Sequence, residues 1–413
     1  MIKRSDIEIM APVGCYESLH AAINAGANSV YFGIGRLNMR SASAANFSEA
    51  DMEQIVEIAH KAGVKTYLTV NTIIYDDELE VMHEVINKAK EVGVDAVIAS
   101  DLAVITYAYH AGVEVHISTQ CNISNSEAVK FFSQWADVVV LARELSLEQI
   151  ERISKQIEEQ NICGPAGELV RIEMFAHGAM CMSMSGKCYL SEHETHHSAN
   201  RGACRQICRR KYTITDKDSG QALDVDGQYI LSPKDLCTVD FLDKFIGAGV
   251  RVLKIEGRAR GGEYVKRVVE NYNEALNLLE RGEYTPESVA PLKERLRTVF
   301  NRDFWGGYYA AKTMVEHSQH YGSSATLKKV YMGKVTNYFK RIGVAEVLVE
   351  ACEVAEGDAL LFMGEKTGVV EQKAEGIMLN EQPAESAKQG DYISLKTVEE
   401  VRRGDKVYKE VAR

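Results

Sequence analysis

The chain has 413 residues, 46% of them hydrophobic and 26% charged, with a formal net charge of −11. That length points to one large domain plus a smaller one, and the acidic total excludes a protein coated for non-specific nucleic-acid binding. No run of about 18 apolar residues is present to span a membrane, and MIKRSDIEIMAPVG at the start lacks the apolar core and cleavage site of a signal peptide, so a cytoplasmic location with no membrane partner is expected.

A unit recurs along the first two-thirds of the chain. A helical pattern ends in Ala-Gly or Val-Gly, and a short β-branched run follows, as at Gly26, Gly63, Gly93, Gly112 and Gly249. Glycine just past a helix supplies the left-handed residue that turns the chain back. The runs are almost wholly apolar, as strands covered on both faces should be. They are expected at Ile7–Met10, Ser29–Gly33, Lys65–Val70, Ala96–Ser100, Glu114–Ser118, Asp137–Leu141, Arg171–Phe175 and Arg251–Ile255. Eight such units closing on themselves make a (β/α)8 TIM-like barrel, here spanning residues 1–316. An open doubly wound sheet is the main alternative, and no G-x-G-x-x-G follows the first strand to support a dinucleotide site.

In such a barrel the chemistry belongs at the C-terminal ends of the strands. The residues expected there are Asn71, Asp101, Gln120, Asn122, Arg143, Glu144, His177, Glu256 and Arg258, with Asp101 read as a helix cap. After the eighth strand, Lys254, Arg258 and Arg260 converge near Gly261-Gly262 and the start of a helix, a pattern suited to binding an anion.

Between the seventh and eighth strands lies an insertion of about residues 178–235, far longer than a βα connection needs. It carries Cys181, Cys188, Cys204 and Cys208 in a C-x6-C-x15-C-x3-C run. Thiolates ligate both zinc and iron–sulfur clusters, and spacing alone does not decide between them. Only Cys204-x3-Cys208 fits the paired spacing of zinc sites, and the place above a barrel mouth favours a working cofactor over a structural ion. Cys237 is a candidate spare ligand. The same loop holds His193-Glu194-Thr195-His196-His197, formally H-E-x-x-H, but without the apolar helical face that a metalloprotease motif needs. Arg201, Arg205, Arg209, Arg210 and Lys211 make a local basic cluster, and Tyr212–Ile230 reads as a polar hairpin.

Residues 317–326 read as a linker. From 327 to 413 the pattern becomes short alternating strands punctuated by Gly-Asp turns, a small all-β domain of barrel or sandwich type.

The ordered series MAPVG, ANSVYFG, VNT, STQCN, ARELS, AHGAMC, GKC, NRGAC-x3-CR, SPKDL and KIEGR resembles the U32 peptidases, also described as collagenase-like proteases. The resemblance implies a barrel with a [4Fe–4S] cluster on Cys181, Cys188, Cys204 and Cys208. It further implies oxygen-independent hydroxylation, as of tRNA wobble uridine with prephenate as a hydroxyl source, of a 23S rRNA cytidine, or of a quinone ring. On that basis Asn71, Gln120 and His177 are expected to position a base, and His177 or Glu256 to move a proton. Lys254 and Arg258 are expected to hold an anionic co-substrate such as prephenate. Asn122, Arg201, Arg205, Arg209 and Arg210 are expected to meet the RNA substrate, tRNA first among the candidates. The rivals are a peptidase, as the family name says, and a binding module with a structural metal.

Overall fold

The structure is a computed structural model that describes residues 3–42, 47–223, 231–310 and 315–413. The eight apolar runs are strands: β1 Glu8–Pro12, β2 Ser29–Gly33, β3 Lys65–Val70, β4 Ala96–Ala99, β5 Glu114–Ile117, β6 Val138–Val140, β7 Arg171–Gly178 and β8 Val250–Ile255. Each pairs in parallel with the next, and β8 closes the ring by pairing with both β7 and β1, Val252 lying opposite Glu8. The TIM-like barrel is therefore as expected. The glycines that signalled it all have positive φ, from 71° at Gly63 to 101° at Gly249.

Side chains alternate across each strand. One set packs outward against helices such as Glu49–Lys61, Leu79–Val92 and Gly262–Arg281, giving the main core. The other set points down the barrel axis, where Met10, Tyr31, Tyr67, Ile98, Val138 and Val252 form a separate apolar cluster.

Two boundaries differ from the sequence reading. β7 runs to Gly178, so His177 lies inside the strand and not after it. The reason is a partner the sequence does not announce: Asp235–Cys237, at the far end of the insertion, returns antiparallel onto β7, with Leu236 opposite Gly178 and Cys237 opposite His177. Phe304–Trp305 then pairs with it in parallel. Gly178, at φ 108°, sits where a Cβ would lie 2.4 Å from the Glu256 carbonyl oxygen, so only glycine allows β7 to come this close to the turn after β8.

Within the insertion, Ile214–Thr215 and Ala222–Leu223 pair antiparallel, as the hairpin reading expects; its remainder, 224–230, lies outside the described residues. Glu316–Ser318 is bound to the end of the insertion, with the Ser318 amide donating to the Ser232 carbonyl at 2.8 Å and the Lys234 amide to that of Glu316 at 2.9 Å. The C-terminal part is all-β, an antiparallel sheet whose strands include Leu327–Phe339, Val344–Val349, Ala359–Gly364 and Lys406–Ala412. It has its own core of Met332, Val347, Phe362, Ile393 and Val407. It rests on the barrel through Leu361, Met363 and Val369 against Ala21. Arg267 of the helix after β8 reaches Glu371 at 3.0 Å and Glu410 at 2.5 Å across that contact.

Candidate active site at the barrel mouth

The strand ends open into a cavity of about 190 Å3. That is comparable to the ~150 Å3 that houses a benzene in an engineered core. Tyr31, Thr69, Phe175 and Lys254 lie at its base, Asn71, Ser118, Gln120 and Arg143 on one side, and Glu256, Arg258 and Arg260 on another. The insertion roofs it with Cys181, Cys188, Cys204 and Cys208. Gly202 lets the roof settle: at φ 79°, a Cβ there would meet Ser41 Oγ at 2.1 Å and the Asn38 carbonyl at 2.4 Å.

The four thiols are near enough to act on one another's charge. Burial raises the Cys188 thiol pKa, and so do Cys181 and Cys204. Burial also raises that of Cys208, with Arg209 opposing and Cys181, Cys204 and Cys188 adding to it. Such a set is costly as free thiolates and is relieved by a cationic metal centre. Among the described residues no three His, Cys, Asp or Glu side chains are arranged to chelate a single ion. The four thiols line one cavity, and thiolate is the donor type that iron–sulfur clusters take. The donor set thus fits an iron–sulfur cluster in kind.

The same mouth is cationic. Glu256 is its one lining carboxylate among the described residues. Burial works to raise its pKa, but Arg40 at 2.7 Å, Arg143 and Arg258 pull it down to about 2. Arg258 is buried and its Nη1 donates to Asn38 Oδ1 at 3.0 Å and Thr69 Oγ1 at 2.9 Å, both neutral acceptors. Bare Gly33 makes room for it, since a Cβ there would stand 2.5 Å from that Nη1. Arg143 lies 3.9 Å over the Phe175 ring with its buried Nε unpartnered, and Arg260 lies 3.4 Å over Phe300. Among the described residues none of Arg143, Arg258 and Arg260 has a carboxylate within 4.0 Å.

A run of amides completes the wall. Asn71 accepts from the Met39 amide at 3.1 Å and donates to Ser118 Oγ at 3.3 Å and Gln120 Oε1 at 3.4 Å. Gln120, whose Oε1 accepts from Asn71 and Ser118, lines the cavity, and its Nε2 has no hydrogen-bond partner among the described residues. It is a donor fit for a carbonyl on a ring or a peptide.

Several expected site residues are elsewhere or otherwise engaged. His177 does not line the cavity: it is 1% exposed among Tyr264, Tyr272 and Phe304, and burial lowers its pKa to about 3. It is a neutral packing residue, not a proton carrier of the mouth. Glu256, held ionised by its arginines, is no general acid. Lys254 reaches the cavity but its ammonium is paired with Glu173 at 2.6 Å. Arg201 does not face outward for a phosphate; it grips Glu78 through both carboxylate oxygens, at 2.5 and 2.7 Å. Arg209 is a half-buried staple, donating to Ser232 Oγ, the Pro233 carbonyl and the Met180 carbonyl at 2.9, 2.8 and 2.5 Å. Asn122, with φ 51°, ties the roof to β5 by donating to the Ser185 carbonyl at 3.1 Å. Of the predicted RNA contacts Arg205 and Arg210 are exposed, and Arg210 is paired with Glu194. Cys237 is buried beneath the mouth beside His177, apart from the four thiols. Asp101 caps its helix, accepting from the Ala103 amide at 2.9 Å.

The H-E-x-x-H match does not form its motif. The helix Leu190–Thr195 ends before the second histidine, because His196 is left-handed at φ 54°, and Glu194 pairs with Arg210. His193 and His197 are therefore not one helical turn apart.

Sequence reasoning missed Arg40 and set Arg143 aside. Arg143 directly follows the β6 region and could have been chosen by position. Arg40 sits in the loop after β2 with no pattern around it, and only the fold brings it to Glu256.

A family model described as peptidase family U32 matches residues 14–319. A Porphyromonas gingivalis protein named collagenase is 55% identical over 98% of both chains. A 23S rRNA 5-hydroxycytidine C2501 synthase of Escherichia coli is 38% identical over 67% of this chain and 40% of its own. A tRNA hydroxylation protein P1 of Bacillus subtilis is 33% identical over 80% of this chain and 77% of its own. The chain belongs to peptidase family U32.

Proposed function

We propose that this chain is an iron–sulfur enzyme that hydroxylates an RNA base without oxygen, tRNA uridine being the first substrate to test and 23S rRNA cytidine the second. The observation that carries the reading is the pairing, across one cavity, of four thiols with three arginines that lack carboxylate partners. Cys181, Cys188, Cys204 and Cys208 would hold the cluster, and when bound it would supply electron-transfer or Lewis-acid chemistry. Arg143, Arg258 and Arg260 would hold an anionic co-substrate of the prephenate type. The ring of Tyr31 or Phe175 would meet the flat face of the base, and the Gln120 amide, aligned through Asn71, would donate to a base carbonyl. Glu256 would remain a carboxylate throughout and hold Arg40 in place.

A second reading, a peptidase, is favoured by a specific finding: the relative of 55% identity over nearly its whole length is named collagenase, whereas those named for RNA hydroxylation stand at lower identity. One set of measurements separates the two. Protein purified without air is analysed for iron and sulfide, nucleosides from tRNA and rRNA of a deletion strain are examined by mass spectrometry, and gelatin cleavage is assayed with Cys181→Ala and Gln120→Ala. Unaltered hydroxynucleosides in the deletion strain, together with gelatin cleavage lost in Gln120→Ala, would replace the first reading with the second.

A further inference from the structure

The axis of a TIM barrel is commonly filled by layers of branched apolar side chains. Here Glu114 and His116 of β5, Glu173 of β7 and Lys254 of β8 put ionisable side chains among them, and these form a line. Glu114 begins β5 with its side chain 40% exposed, and its carboxylate lies 3.0 Å from Nε2 of His116, which has no exposure. On the other side of that ring, Nδ1 stands 4.0 Å from Oε2 of Glu173, itself without exposure. Neither of these two buried atoms has a hydrogen-bond partner among the described residues. The second Glu173 oxygen accepts from Lys254 Nζ at 2.6 Å, and Lys254 lies at the base of the mouth cavity.

Buried polar atoms are nearly always partnered, so two orphans facing each other are the feature to explain. A fixed structural network would close that gap, whereas a path that passes a proton needs donor and acceptor that pair only in passing. We propose that Glu114, His116, Glu173 and Lys254 form a proton path along the barrel axis, joining solvent at the closed end to the mouth cavity. Water protonates Glu114, which protonates His116 at Nε2. The ring then gives its Nδ1 proton to Glu173 once a small side-chain rotation closes the gap. Lys254 releases one of its three protons into the cavity and takes the one that Glu173 now carries. One proton enters and one leaves, and Glu114, Glu173 and Lys254 end as they began. His116 ends with its proton on Nε2, and that proton must exchange back to Nδ1 before the next transfer; the reverse order carries a proton out.

The other charged or titratable groups facing this line include Tyr31 on β2, whose ring centroid is 4.8 Å from Lys254 Nζ, Glu8 on β1, and Tyr67 on β3, whose hydroxyl donates to Glu8 at 2.7 Å and whose ring centroid is 4.6 Å from that of His116. Arg171 pairs with Glu8 at 3.2 Å, and both Arg171 and Lys65 act on Glu114. The path rests on placing the reaction in the mouth cavity, and holds whether the substrate is a base or a peptide, since both reactions move protons there.

Two measurements on the full chain test it. In protein labelled with 15N-histidine, Glu173→Gln is expected to change which nitrogen of His116 carries the proton, with Glu173→Asp restoring the wild-type signal. An unaltered His116 spectrum overturns the path, because no proton then crosses the gap. In turnover assays, His116→Gln and the exposed, fold-sparing Glu114→Gln are expected to lower kcat by about tenfold or more with KM unchanged, and added imidazole to restore part of it. Wild-type kcat across the pH range in both variants also overturns it. If neither RNA nor gelatin is turned over by the wild type, the functional reading fails and the histidine spectrum still decides the path.

Discussion

Arg201 offers the sharpest test of how the roof is held. Its guanidinium donates to both oxygens of Glu78 and to the Ile73 carbonyl at 2.6 Å, with the Tyr75 ring centroid 4.0 Å from its central carbon. The Glu78 side chain is 4% exposed and that of Arg201 26%. Exposed ion pairs are worth about 0–1 kcal/mol. Removing one member of a buried pair costs about 3–5 kcal/mol. This pair is buried at one end, and Arg36 at 4.0 Å remains to share the load, so Arg201→Ala should cost about 3 kcal/mol, near the lower bound for a buried pair. A double-mutant cycle with Glu78→Gln should return a coupling of about 2 kcal/mol. Urea melts of the four proteins measure it. Because Arg201 lies three residues before Cys204, the same variant should also hold less iron. A coupling within ~0.5 kcal/mol of zero would refute the structural role, especially if Arg201→Ala instead weakened RNA binding and lowered its salt dependence by about one phosphate contact.

Other outcomes follow from the same geometry. Cys188→Ser or Cys208→Ser should abolish bound iron and sulfide in protein purified without air, while Cys237→Ser, buried apart from the four, should keep them; metal and sulfide analysis decides. Gly33→Ala should push Arg258 off Asn38 and Thr69 and weaken binding of a small dicarboxylate by about tenfold, read by calorimetry, with little change in iron content. Glu256, held at about 2 by its arginines, stabilises the fold above the ordinary carboxylate range of ~4.3, and that contribution is lost as pH falls toward 2. Melting temperatures of Glu256→Gln should therefore fall less steeply than wild type across that acid window, and parallel curves would count against the pairing.

The barrel was legible because its signals are local. An apolar run and a left-handed glycine after a helix are each fixed by a few neighbouring residues, and eight repeats leave little freedom of interpretation. The thiol set was legible for the same reason, since its members lie within one insertion. What the sequence hides is which partner a charged residue meets. Arg201, Arg209 and Lys254 look like free cations in a basic stretch or at a strand end, yet Glu78, the Ser232–Pro233 turn and Glu173 lie from 23 to 123 residues away in sequence. With each reach went a predicted ligand contact. His177 was misplaced because the pairing that extends β7 comes from Asp235–Cys237, beyond the whole insertion.

That redistribution of partners bears on the substrate. Once Arg40 is assigned to Glu256, Lys254 to Glu173, Arg302 to Asp235 and Arg209 to its carbonyls, the mouth still has Arg143, Arg258 and Arg260 over apolar or neutral neighbours. Burial lowers the pKa of Arg258 to about 10 and also lowers that of Arg260, which is the signature of cations held against a desolvation cost. Glu256 and Asp235 offset that cost without cancelling it, so these guanidinium groups would gain more from an anion arriving from outside than from a neutral ligand, which would displace water without replacing its charge-dipole contacts. A peptide chain offers these three groups only carbonyl dipoles, whereas a small carboxylate or a phosphate offers full charge. The cavity's electrostatics therefore favour a reaction with an anionic partner bound beside the thiols, and the expectation follows that small dicarboxylates protect the roof from proteolysis while neutral peptides do not.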